Sequence, residues 1–343
     1  MSDPLLTFTE NGIYCSQAKV YIDPWKPVNK AIITHAHADH SRVGMKHYLA
    51  HHHSIPVMKH RLGDDISVEG KNYGEEFSIN GVTFSLHPAG HIIGSAQVRV
   101  AYKGEIWVAS GDYKLENDLT CTPFEPVKCH AFITESTFGL PVFKWKPQSE
   151  VMGEINDWWA RCNAENKTPI IFSYSLGKAQ RIINHVNHEL GPILTHGAVE
   201  LTNEVLRHAG LEVKPTVRVT PETDLKGYKN ALVIAPPGAM NSKWMSKFKP
   251  VSTGMASGWM NLRGARRRQN YDRGFVLSDH ADWDGLNTAV KATGAEKIFV
   301  THGYTDIYSK WLTDQGYDAQ IVNTEFTGES LDEPSESENS PSS

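Results

Sequence analysis

The densest run of chemically capable side chains is His35-Ala36-His37-Ala38-Asp39-His40. It follows directly on the β-branched and apolar stretch Ala31-Ile32-Ile33-Thr34, which reads as a strand. Alternate spacing sends the His35 and His37 imidazoles off the same side of an extended segment. Asp39 and His40 then come one step further round the turn. Imidazole nitrogens and a carboxylate, four donors in six residues, are what a pair of borderline divalent ions would take. The plain alternative is a polar turn with incidental histidines. The neighbourhood is rich in them, and His47, His51, His52, His53 and His60 are assigned to a solvated helix and loop.

Partners downstream favour the metal reading, because they repeat one syntax of an apolar strand with a polar residue at its exit. Val82–Leu86 leads to Gly90-His91, Glu105–Ala109 to Gly111-Asp112, and Ala131–Thr134 to Glu135. Gly274–Leu277 leads to Ser278-Asp279-His280, and Lys297–Val300 to Thr301-His302. One such residue is ordinarily a satisfied structural group. Six strand exits, each presenting His, Asp or Glu, instead describe a site at the carboxyl ends of strands in an α/β sheet.

Other elements fill the scaffold. Pro169–Ser173 and Ala231–Ala235 read as buried strands. Lys178–Leu190, with Ile182, Ile183 and Val186, and Val199–Ala209, with Leu201, Val205 and Leu206, read as helices. Strands mixed with helices indicate the α/β class. The 343 residues, 40% hydrophobic and 21% charged, exclude a disordered or collagen-like chain and suffice for one large or two ordinary domains. No apolar stretch approaches the roughly 20 residues of a membrane span. Met1-Ser2-Asp3-Pro4 opens no secretory signal. Cys15, Cys121, Cys129 and Cys162 are scattered and form no CxxC pair, so neither a disulfide framework nor a zinc ribbon is expected. A reduced cytoplasm is the expected setting.

The net charge of −5 is uneven. Six acids from Glu325 onward (Glu325, Glu329, Asp332, Glu333, Glu336, Glu338) face no Lys or Arg, which leaves the body at about +1. That neither favours nor opposes a polyanionic partner. Residues 326–343 read as an acidic disordered tail.

Taken together, HxHxDH, then His91, then Asp112 resembles the ligand order of the metallo-β-lactamase superfamily. Glu135, His280 and His302 resemble the additional motifs of its β-CASP nucleases. Glu135-Ser136-Thr137-Phe138-Gly139-Leu140-Pro141 and Tyr174-Ser175-Leu176-Gly177-Lys178-Ala179-Gln180-Arg181 are similar to the bacterial ligase-associated DNA exonucleases within that group. The resemblance runs from about residue 8 to 324.

It implies an αββα sandwich interrupted by a β-CASP cap: core at 1–145 and 276–325, cap at 146–275. It also implies two divalent ions, zinc or manganese. His35, His37, His91 and Asp112 would hold one, and Asp39, His40, His302 and the shared Asp112 the other. Such paired ions lie roughly 3.5–4 Å apart and activate a bridging water against phosphorus. His280 would act as general acid, oriented and kept cationic by Glu135, with Asp39 also counted among the catalytic residues. Asp23, in Tyr21-Ile22-Asp23-Pro24, resembles the superfamily's early Asp and reads either as support for the ligands or as a turn-former before Pro24.

Lys178 and Arg181, where a strand turns into a helix, read as a phosphate contact or as an ordinary turn. Arg266, Arg267 and Arg268, with Arg263, form the densest basic cluster and read as backbone-phosphate contacts. Trp158 and Trp159 are expected in the core; Trp259 is undecided. The function implied is a metal-dependent DNA exonuclease of DNA repair, with a functional link to an ATP-dependent DNA ligase and no membrane partner. An RNA-processing nuclease on the same scaffold is the alternative. A small-molecule hydrolase would leave Glu135, His280 and the long insert without a role, and a non-catalytic binding protein would not keep every ligand.

Overall fold

The computed structural model of the chain describes residues 4–262, 264 and 270–326. They divide into two compact units, Met1–Lys144 with Asp279–Glu329 and Trp145–Ser278.

The first unit contains two sheets. One is built from β1 (Thr7–Thr9), β2 (Gly12–Cys15), β3 (Val20–Ile22), β4 (Lys30–Ile33), β5 (His47–His51) and β6 (Val68–Lys71), in that order. Its first three strands are antiparallel and β3 to β6 run parallel. The other begins with β7 (Phe77–Ile79), β8 (Val82–Pro88), β9 (Ala96–Tyr102), β10 (Glu105–Ala109) and β11 (Ala131–Ser136).

The second unit carries a six-stranded, wholly parallel sheet. Its strands are β12 (Thr168–Phe172), β13 (Ile193–Thr195), β14 (Val217–Arg218), β15 (Leu232–Ala235), β16 (Val251–Ala256) and β17 (Arg273–Phe275). Helices Gln148–Ala164, Lys178–His185 and Gly197–His208 accompany it. The chain then returns to the first unit with β18 (Lys297–Gly303) and β19 (Asp318–Ile321), giving the second sheet the order β19-β18-β11-β10-β9-β8-β7.

Period-two alternation explains why β10, β11 and β18 read as unbroken apolar runs: both of their faces are covered. Trp107, Ala109, Ala131, Ile133 and Phe299 pack toward Ile13, Ile22 and Ile32 of the facing sheet. Val108, Phe132, Ile298 and Val300 pack instead on Leu286, Val290, Tyr308 and Leu312, from helices Trp283–Thr293 and Thr305–Asp314. The α/β class read from the sequence holds. No helix among the described residues is long and apolar enough to cross a membrane.

Three local expectations are corrected. The helix expected over 178–190 stops at His185, because Val186 turns extended and the Asn187 side chain caps a new short turn by accepting from the Glu189 N–H. His51 is not solvated: it ends an interior strand, is 1% exposed, and stacks on Tyr73 at 3.7 Å. Glu135 and His302 lie inside their strands rather than beyond them, where the β11–β18 register shifts between Thr134 and Ser136. Such a bulge re-aims the side chains beside it.

Candidate metal centre

Every element that bears a candidate ligand belongs to the first unit. His35, His37 and His40 leave the end of β4; His91 follows β8 and Asp112 follows β10; His302 lies in β18. Two of the loops need glycine. Gly90 (φ +71°) brings its backbone so near Lys114 that a Cβ would stand 2.2 Å from the Lys114 carbonyl oxygen. At Gly111 (φ +57°) a Cβ would stand 2.6 Å from the Thr34 side chain. The loops carrying His91 and Asp112 are thereby drawn in to the HxHxDH turn.

Outer partners fix most of the rings. His40 Nδ1 is 2.7 Å from Asp23 Oδ2, His91 Nδ1 is 2.8 Å from the Asp279 carbonyl oxygen, and His35 Nδ1 is 3.0 Å from Thr34 Oγ1. Asp23 also accepts from the Thr34 N–H at 2.7 Å, so of its two readings the structure supports the positioning one. With Nδ1 occupied, Nε2 is the nitrogen turned inward. Around Asp112 the Nε2 atoms of His302, His35, His40 and His91 stand at 3.1, 3.4, 3.6 and 3.8 Å. His37 approaches by its other nitrogen, its Nδ1 lying 3.1 Å from His91 Nε2.

The donors fall into groups whose ligand atoms lie within 4.8 Å of one another. His35, His37, His91 and Asp112 form one, His40, Asp112 and His302 another, and His35, Asp39 and His40 a third. Asp112 belongs to two of them. Four buried atoms here, His35 Nε2, His40 Nε2, His302 Nε2 and Asp112 Oδ1, have no hydrogen-bond partner. Buried polar atoms are rarely left so. Lone pairs converging on shared points, with outer partners fixing the tautomers, fit divalent cations.

Proton affinities diverge within this cluster. Burial pushes His91 down to about 3, reinforced by the charge of His280, and burial with the charge of His40 carries His35 well below the ordinary histidine range. Burial opposes charging of His40 too, yet Asp112, Asp39 and Asp23 outweigh it and raise the ring to about 10. Asp112 is held well below the usual carboxylate range, the charges of His40, His280 and His302 outweighing its burial. Metal uptake must therefore displace protons.

Beside the ligands stands a second device. His280 Nδ1 lies 2.9 Å from Glu135 Oε2, and Glu135 Oε1 accepts from the Tyr113 N–H at 2.8 Å. The His280 ring centroid is 4.7 Å from that of His91. Burial works against a charge on His280, but Glu135 and Asp112 overcome it and raise the ring to about 10. The arrangement favours the protonated imidazole, held by a carboxylate that is itself fixed by the Tyr113 N–H.

Residues proposed from sequence to grip substrate fare differently. Lys178 and Arg181 are fully buried, which speaks against the phosphate contact and for the other reading. The Lys178 ammonium lies 4.8 Å from the centre of the Tyr174 ring, and Arg181 donates to Gln148 at 3.1 Å. This is an ordinary strand-to-helix turn. Arg263, Arg266, Arg267 and Arg268 lie outside the described residues. Trp158 and Trp159 are core residues, and Trp259 packs half-buried against the second unit's core. Sequence reasoning missed Phe326, placed by it in the tail: its ring is 9% exposed and stacks on His40 with centroids 4.2 Å apart. A lone aromatic just before an acidic run was the available signal.

No family model matches the chain. It is 28% identical over 317 residues to a probable DNA ligase of Opitutus terrae, a match covering 91% of this chain and 30% of that relative. Cleavage and polyadenylation specificity factor 73 of Drosophila melanogaster is 28% identical over 123 residues, covering 34% of this chain and 17% of its own length. An RNase J-like protein of Methanocaldococcus jannaschii is 25% identical over 210 residues, 51% of this chain and 48% of its own. A crystal structure of an Enterococcus faecalis V583 protein of unknown function superposes with a TM-score of 0.58 at 12% identity, covering 87% of this chain and 80% of that one, and shares the fold. These relatives bear out the resemblance to the β-CASP nucleases of the metallo-β-lactamase superfamily, and the ligase-named relative fits the ligase-associated subgroup.

Proposed function

We propose that the chain is a metal-dependent DNA exonuclease that hydrolyses phosphodiester bonds, serving DNA repair in the cytoplasm alongside an ATP-dependent ligase. The observation that carries the nuclease reading is the hydrogen-bonded His280–Glu135 pair standing next to donor groups that share Asp112. A simple metal-binding protein has no use for a buried protonated imidazole at that position. The Trp145–Ser278 unit is read as the β-CASP cap.

In this reading His35, His37, His91 and Asp112 hold one divalent ion, zinc or manganese, and Asp39, His40, His302 and Asp112 hold the other. Bound there, the ions supply Lewis acidity that neutralises phosphate charge and acidifies water. His280 holds a proton for the departing oxygen, worth roughly 10²–10⁴ in rate. Glu135, fixed by the Tyr113 N–H, keeps that proton on the ring and the ring in place. Asp23 fixes the His40 ring through Nδ1. Arg266, Arg267 and Arg268 remain the proposed phosphate contacts.

RNA is the second substrate reading, favoured by the name of the RNase J-like relative. End-labelled single-stranded DNA, duplex DNA and RNA of equal sequence, incubated with the chain and Mn²⁺ or Zn²⁺, distinguish the two. Progressive shortening of DNA is expected. Preferential cutting of RNA would transfer the assignment to RNA processing, and three intact substrates would end the nuclease reading.

A further inference from the structure

Residues 322–326, beyond β19, do not leave the first unit as a solvated tail. Val322 is 6% and Phe326 9% exposed. Phe326 stacks on the His40 ring with an interplanar angle of 12°, meets His302 edge-on at 5.6 Å, and meets Trp25 edge-on at 5.6 Å. A small cavity beside it is lined by Asp23, His40, Gly111, His302 and Phe326. Arg42 ties this segment down. Its guanidinium donates to the Glu325 carbonyl oxygen at 2.6 Å and faces the Glu325 carboxylate at 3.5 Å. The same guanidinium donates through Nε to the carbonyl oxygen of Asp39 at 3.1 Å. One side chain thus staples the strap to the ligand turn itself.

We propose that Phe326 is a positioning residue for the donor group of His40, Asp112 and His302: it fixes the His40 ring plane and excludes water, and Arg42 holds its strap against the turn. The contact is selective. Phe326 touches His40 and His302, and among the described contacts none joins it to His35, His37 or His91. Removing the ring should therefore weaken one ion and spare the other. This inference rests on the reading of these donors as an ion site.

Calorimetric titration of the metal-free full chain with Zn²⁺, paired with Co²⁺ electronic absorption, tests it in Phe326→Ala, Phe326→Leu, Phe326→Tyr and Arg42→Gln. Loss of a group that orients ligands costs about 10- to 100-fold in metal affinity. Phe326→Ala should lose that much at one of two ions and nothing at the other, with a Co²⁺ spectrum altered for that ion alone. Phe326→Tyr keeps the stacked ring and should restore parental binding. A merely structural residue would lower the melting temperature without separating the two affinities. Parental affinity for both ions in Phe326→Ala would overturn the strap. Should that variant fail to fold, parental affinities in both Phe326→Leu and Arg42→Gln would overturn it equally. Failure of the parent chain to take two ions would overturn the metal reading, and the strap with it.

Discussion

Replacing Glu135 by Gln isolates the electrostatic role of a carboxylate from its shape. In the parent, Glu135 Oε2 sits 2.9 Å from His280 Nδ1 and helps raise that ring to about 10 against the cost of burial. Remove the charge, and burial pulls the ring down toward its ordinary value of about 6.5, with Asp112 and Asp279 still opposing the fall. At about pH 8 the protonated fraction then falls from roughly 99% toward a floor of about 3%, thirtyfold at most, while at about pH 5.5 the two proteins differ little. The full rise, an upper bound on the share of Glu135, corresponds to roughly 5 kcal/mol between protonation states. Proton NMR of the His280 ring in the metal-free chain reads the shift directly. With ions bound both values fall, so the loaded enzymes are compared by the displacement between their pH–rate profiles. Glu135→Gln should lose activity at alkaline pH and recover toward acid pH. A profile that is lower but parallel to the parental one would refute the reasoning, since Glu135 would then act through geometry alone.

His280→Ala should slow cleavage by about 10²–10⁴-fold with metal content intact, and a substrate with a better leaving group should regain part of the loss. Asp112→Ala should cost more metal, measured by elemental analysis, than loss of any one histidine, because the Nε2 atoms of His302, His35, His40 and His91 all gather round its negative charge. In the metal-free chain, urea unfolding should show greatest stability near about pH 6.5. His40 and His280, raised to about 10, stabilise the fold fully below that pH and lose this effect as pH rises toward 10; His91, depressed to about 3, costs stability progressively as pH falls from about 6.5 to 3. Neutralising Arg266, Arg267 and Arg268 together should weaken DNA of every sequence alike and flatten the salt dependence by about 0.7 per contact on single strands; an unchanged slope would remove them from the substrate path.

What the sequence disclosed about the site follows from how its parts are built. His35, His37, His91, Asp112 and His302 each sit close behind apolar residues that form a strand, so local pattern was enough to single them out as candidates. Asp23 shows the limit: its worth depends on meeting His40 across a sheet, and a Tyr-Ile-Asp-Pro turn carries no trace of that partner. His51 misled because a polar run of histidines hides an interior strand whose neighbours supply the burial. Lys178 and Arg181 misled in the opposite sense, since charge alone does not reveal a ring or an amide waiting inside.

The order of the strands also governs when this centre can come into being. β18 lies between β11 and β19, yet more than 150 residues of chain separate it from β11. On the ribosome, His35, His37, His91 and Asp112 emerge early, next to a sheet with an open edge where β18 belongs. His280, His302 and Phe326 arrive only after the whole of the Trp145–Ser278 unit has been made. Pairing across such a separation is slow, because the loop must close before the contacts reward it. A nascent chain thus carries the donor group of His35, His37, His91 and Asp112 long before His280 and His302 can join it.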